Sequence, residues 1–142
     1  MISKHDVSLA DDVRLSADGD VNVPLVLSIS GAANITWGHS GSGPRDLAFN
    51  ILIAAGLEPD EAADLHEQFM MEFLYDVPQH AAGRIDRKAI RHWIWLQRVC
   101  PHLEWEDLLR QGRRCIACNV TEAELRRRDE GGYRRKNYRP WE

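Results

Sequence analysis

Four side chains towards the C-terminal end of this 142-residue sequence have the types and spacing best suited to chemistry: Cys100, His102, Cys115 and Cys118. They read C-x-H, twelve residues, then C-x-x-C, so four nitrogen or sulfur donors fall within nineteen residues. Zinc takes four such donors in a tetrahedron, and a C-x-x-C knuckle is the usual way for one end of a site to supply two. A metal staple would stabilise a C-terminal third that is weakly apolar. Two other readings stand beside it. The thiols can be small buried hydrophobes, with CIACNV a core-facing segment. The C-x-x-C pair can also be a redox dithiol, although it does not open a helix behind a buried strand.

The string WGHSGSGP, residues 37–44, is the second candidate. Glycines allow positive φ and close backbone approach, and a turn that runs into a helix presents free N–H groups at the positive end of the helix dipole. Gly38, His39, Ser40, Gly41, Ser42, Gly43 and Arg45 are therefore candidate binders of phosphate or carboxylate. The string lacks the GK[ST] ending of a P-loop and does not match GxGxxG. The alternative is that these glycines solve a backbone problem, letting Trp37 enter the core as the chain reverses.

The third candidate is the basic, aromatic end of the chain. Arg126, Arg127, Arg128, Tyr133, Arg134, Arg135, Lys136, Tyr138, Arg139 and Trp141 combine charges that meet phosphates with rings that stack on unpaired bases. The same residues suit docking onto an acidic face of this domain or of a protein partner. No HExxH, GxSxG or kinase-like motif is present, and His66 reads as helix surface or boundary. The lean is towards a non-enzymatic protein.

These residues need elements to hold them. The first third reads as strands: Val13 to Ser16, Val21 to Ser30 with Pro24 forcing an edge or bulge, and Ile35 to Trp37, together a small antiparallel β-meander. Helical periodicity begins at Pro44, where Leu47, Ile51 and Ala54 share a face, and Gly56 closes the helix. A second helix begins near Asp60, carries Ala62, Leu65, Phe69 and Phe73 inward, and stops before Pro78. Asp86 is placed to cap a third helix from Arg87 to about Val99. Leu103 to Arg110 reads as a short fourth helix, and Thr121 with Glu124 forms a capping box for a fifth. The expected fold is α+β, a meander packed on four to five helices, with one domain over residues 1–125 and a tail over 126–142.

Composition sets the limits. The formal charge of −4 conceals an asymmetry, because residues 1–109 sum to −9 and residues 110–142 to +5. Such ends can fold against each other or serve different partners. No apolar run reaches the length of a membrane span, and the start MISKHDVSLADD does not read as a secretory signal. With three cysteines, an odd number, the expectation is a reducing, cytoplasmic setting without a disulfide framework.

WGHSGSGP followed by RDLAFNIL, then LHEQF and GRIDRKAIRHWI, resembles a family of uncharacterised small bacterial, plasmid and phage proteins. Its signature is W-G-aromatic-x-G-[ST]-G-P followed by an apolar helix. Trp37, Gly38, Gly41, Ser42, Gly43, Pro44, Leu47, Ala48 and Leu52 match it, and His39 stands where the aromatic usually does. The likeness covers roughly residues 20–95. It implies a shared fold and a mobile-element setting, and no catalytic residue. The functional expectation is a binding protein acting by protein–protein contact, such as an inhibitor of a host defence system. The alternatives are an anion- or nucleotide-binding domain using the turn, and nucleic-acid binding through the tail.

Overall fold

The computed structural model describes residues 9–32, 34–109, 112–130 and 138–141. Helix α1 (Ser42–Ala54) is the element around which the rest is arranged. Leu47, Ala48, Phe49, Ile51 and Leu52 are wholly buried, so the helix is covered on nearly every side rather than along one stripe. Pro44 falls at its third residue, still within the first turn where the missing N–H costs nothing, and Gly41 is the N-cap. Gly56 takes φ +98° and closes the helix, the Gly56 and Leu57 amides donating to the Ile53 and Leu52 carbonyls.

Burial of the whole helix includes two polar side chains, and these decide the shape of the N-terminal segment. Asp46 accepts hydrogen bonds from the Ser28 hydroxyl and from the Ile29, Ser30 and Ala32 amides, at 2.6 to 3.1 Å. One turn on, the Asn50 side-chain oxygen accepts from the Val26 and Leu27 amides and its NH₂ donates to the Leu27 carbonyl. Residues 26–32 thus satisfy much of their backbone on helix side chains rather than in a meander with adjacent strands.

Among the described residues the expected N-terminal meander is absent. Strand β1 (Val13–Leu15) pairs antiparallel with β3 (Gly83–Ile85), seventy residues away in sequence, with Val13 opposite Ile85. Strand β2 (Leu27–Ser28) pairs with β6 (Arg139–Pro140) at the far end of the chain. Val21 contributes a single bridge to Leu15, and Ile35 to Trp37 forms no strand.

Helix α2 (Pro59–Phe69) continues as a π-helical stretch, Met70–Leu74, in which the Tyr75 amide reaches back to the Met70 carbonyl. The Phe69 and Phe73 rings pack tilted against each other and meet the Trp93 ring edge-on. Helix α3 (Arg87–Val99) begins where Asp86 accepts from the Lys88 amide, as the sequence predicts.

The segment expected to be a fourth helix is an antiparallel hairpin, β4 (Trp105–Leu108) with β5 (Gly112–Cys115). Opposite charges face across it: Glu106 is opposite Arg114 and Asp107 opposite Arg113, while the Arg113 guanidinium lies 5.3 Å from the Trp105 ring centre. Helix α4 (Glu122–Asp129) starts at Thr121, whose hydroxyl accepts from the Glu124 amide. The Glu124 carboxylate does not complete the capping box; it turns to Arg127 and Arg128 instead. The fold is α+β, with four helices and three two-stranded antiparallel sheets among the described residues. Among those residues no helix is long and apolar enough to cross a membrane.

Candidate metal centre

Helix α3 ends at Cys100, whose amide closes on the Leu96 carbonyl, and Pro101 then prevents another helical turn. His102 takes φ +56°, an unusual conformation for a non-glycine residue that reverses the chain directly after the helix. Its carbonyl accepts from the Trp105 indole N–H at 2.7 Å, which anchors the reversal to the start of β4. Beyond the hairpin, Cys115 is the last residue of β5, and a tight loop follows. The Asn119 amide bonds back to the Cys115 carbonyl and the Cys115 amide to the Val120 carbonyl, with Asn119 at φ +66°.

These two turns face each other. Cys100 Sγ lies 3.6 Å from Cys115 Sγ, and Cys118 Sγ lies 3.5 Å from His102 Nδ1. All four ligand atoms fall within 4.8 Å of one another. A tetrahedral zinc with Zn–S bonds of about 2.3 Å separates its sulfurs by about 3.8 Å, so the arrangement has the dimensions such an ion requires. The sulfurs are well beyond the disulfide distance of about 2.05 Å, and all three cysteines are free. Cys115 and Cys118 are buried, Cys100 and His102 half-buried.

The electrostatics divide the thiols. Burial pushes Cys115 up, but hydrogen bonds from His102, from the Cys118 and Ala117 amides and from Cys100 outweigh it and bring the thiol down to about 6. Burial pushes Cys118 up to about 12, with Cys100 and Cys115 acting in the same direction against the Val120 amide. Amides aimed at a cysteine sulfur favour its thiolate, the form that binds metal.

The glycine turn lies elsewhere and its members are divided. Gly38, at φ +82°, donates to the Leu74 carbonyl, and a side chain there would lie 2.6 Å from the Val77 carbonyl oxygen. A Cβ on Gly43 would come within 2.0 Å of the Thr36 hydroxyl. The Gly41 amide donates to His39 Nδ1, which leaves Nε2–H to donate to Thr36 Oγ1 at 2.9 Å. Trp37 is buried with its indole N–H on the Ala81 carbonyl. Ser40, Gly41, Ser42 and Arg45 line a cleft of about 370 Å³ beside the turn, and Arg45 is 3.3 Å from Glu67.

The basic end is divided as well. Arg126, Arg127 and Arg128 lie on α4; Arg127 pairs with Glu67 and Glu124, and Arg128 Nε donates to the Asp64 carbonyl. Tyr138 packs on Phe49 and its hydroxyl donates to Asp60, Arg139 belongs to β6, and the Trp141 amide donates to the Val26 carbonyl. Tyr133, Arg134, Arg135 and Lys136 lie outside the described residues.

Sequence reasoning missed His66. Expected at the helix surface or boundary, it is instead fully buried on α2, with Nδ1–H donating to the Ala63 carbonyl and its ring against Phe49. Asp46 and Asn50 were likewise hidden inside an apolar helix; two polar residues one turn apart were the available signal.

The model of a family of unknown function, DUF6166, matches residues 9–96. The chain belongs to the DUF6166 family. No curated protein and no solved structure matches it. The DUF6166 match contains the glycine turn, α1, α2 and nearly all of α3. It stops at Leu96, four residues before Cys100.

Proposed function

We propose that this DUF6166 protein is a non-enzymatic binding protein whose partner is another protein presenting basic side chains. The observation that carries the reading is a groove of about 750 Å³ between α2 with its π-helical extension and the hairpin–α4 unit. Glu67, Glu72, Asp76 and Glu124 contribute four carboxylates to it against the guanidiniums of Arg114 and Arg127, the latter paired with Glu67 and Glu124, and Met71 and Leu108 supply an apolar surface. Met71 is half exposed there, and a methionine can repack against varied partner side chains. The −9 of residues 1–109 adds a field that attracts a cationic partner and repels nucleic acid. In the mobile-element setting that the family resemblance implies, an inhibitor of a host defence system is one form of this role.

Affinity capture from a host lysate, compared between the wild-type chain and an M71D/D76K variant of unchanged circular dichroism, tests the reading. A stoichiometric partner with a basic contact surface, held by the first and lost by the second, is expected. Equal retention by both overturns it, as does hydrolysis of a nucleotide or ester that one point substitution abolishes.

The cleft lined by Ser40, Ser42 and Arg45 supports a second reading, an anion or nucleotide held beside the turn. That reading requires the Gly41 and Gly43 amide resonances to shift with millimolar nucleotide.

A further inference from the structure

We propose that Cys100, His102, Cys115 and Cys118 hold a single Zn²⁺ ion in a closed structural site. Three sulfurs and one imidazole nitrogen form a donor set that favours zinc over magnesium, calcium or manganese, which prefer oxygen. Four protein ligands complete the tetrahedron and leave no position for water or substrate, which separates this site from a catalytic zinc.

Two further observations point to the ion. The first is the loop from Cys115 to Val120, which closes on itself through the Asn119 amide on the Cys115 carbonyl and the Cys115 amide on the Val120 carbonyl. Such a closed turn presents the Cys115 and Cys118 sulfurs to one point, as a C-x-x-C knuckle does. The Gln97 side chain adds a bond to the Cys118 carbonyl at 3.1 Å, and Trp105 holds the His102 backbone from the other side.

The second is the small size of the local core. Among the described residues, the buried apolar cluster under the hairpin–α4 unit is Cys115, Cys118 and Val120, with Leu96, Cys100, Trp105 and Leu125 packed partly against them. A cluster of that size cannot offset the backbone entropy of ordering some thirty residues, at roughly 1–2 kcal/mol each. Meanwhile Leu103, Leu109 and Ile116 stay exposed and contribute little burial. Zinc bridging the end of α3, the reversal at His102, the end of β5 and the approach to α4 supplies the missing cohesion, as in other small metal-folded units. The site also sets one wall of the groove, because Asn119, in the same loop, donates to Glu72 and its carbonyl accepts from Gln68.

The test is metal analysis of the untagged full-length chain purified without chelator, together with thiol labelling and cobalt substitution. One zinc per chain is expected, with all three thiols unreactive until a chelator is added. Co²⁺ should give the visible bands of a tetrahedral ion and thiolate-to-metal charge transfer. His102→Cys should retain one ion and move the cobalt spectrum to that of a four-sulfur site, a result that a merely structural histidine would not produce. A folded chain without tightly held zinc, with three freely labelled thiols and only an octahedral cobalt spectrum, overturns the proposal. Bound iron–sulfur chromophore in place of zinc overturns it equally.

Discussion

Cys118 Sγ lies 3.5 Å from His102 Nδ1 although the two residues are on opposite sides of a hairpin, sixteen positions apart. Strand pairing between β4 and β5 brings them together, so the ligand set and the hairpin depend on each other. Chelation of the proposed zinc is therefore expected to release the hairpin–α4 unit selectively. Amide hydrogen exchange should accelerate by orders of magnitude in β4 and β5 and leave α1 protected. Uniform protection with and without chelator would contradict it.

Gly43 faces Thr36 so closely that an added methyl must displace it. Gly43→Ala is expected to cost about 1–3 kcal/mol, the range for overpacking. Thr36→Ala should restore part of that loss in the double variant, because the closest atom is the Thr36 hydroxyl. Urea denaturation of the two single variants and the double variant measures the coupling, and strict additivity would contradict the contact.

Asp46 accepts from one hydroxyl and three amides of residues 28–32. Asp46→Ala leaves these buried donors without their acceptor, at roughly 1–3 kcal/mol for each that water cannot reach, so a loss of about 3 kcal/mol or more is expected. Asn50→Ala should loosen the preceding residues, 26 and 27, with which it bonds. Chemical denaturation gives the size, and exchange of the Ile29 and Leu27 amides gives the place.

His66 is held neutral. Burial lowers its pKa from 6.5 to about 4; the Ala63 bond and Glu67 oppose this, while Arg45 and Arg127 act in the same direction as burial. Between those values the unfolded chain binds a proton that the folded chain refuses, so stability falls as pH drops from about 6.5 and levels off below about 4. The full span is worth about 3 kcal/mol. Denaturation midpoints of wild type and His66→Gln, measured across this window, should converge as the pH falls. Parallel curves would place the acid sensitivity elsewhere.

The C-terminal strand closes the sheet with β2 and lays Tyr138 against Phe49, ring centres 5.7 Å apart. Ending the chain at residue 137 removes that cover and is expected to cost about 2 kcal/mol or more, from the lost aromatic burial. Tyr138→Phe, which loses only the bond to Asp60, should cost about 1 kcal/mol. Comparing the two by thermal melting separates packing from hydrogen bonding.

Features that a residue settles with neighbours three or four positions away were legible in the sequence. The Asp86 cap and the run of α3, the start of α4 at Thr121, the Gly56 terminator and the turn into α1 all belong to this class. So does the spacing within Cys100/His102 and within Cys115/Cys118, because C-x-H and C-x-x-C are local patterns.

Tertiary structure alone decided the partners. Nothing near Val13 in sequence names Ile85, and nothing near Leu27 names Pro140. Leu103 to Leu108 has apolar spacing compatible with a helix, but cross-strand pairing of Glu106 with Arg114 and Asp107 with Arg113 selects a strand. His66 is a polar residue followed by Glu67, and only the packing of α2 on α1 puts it inside. Helix caps and turns depend on short-range contacts made by a few adjacent residues, whereas strand register, burial of a polar side chain and the meeting of Cys100 and His102 with Cys115 and Cys118 depend on distant surfaces that exist only once the core has formed.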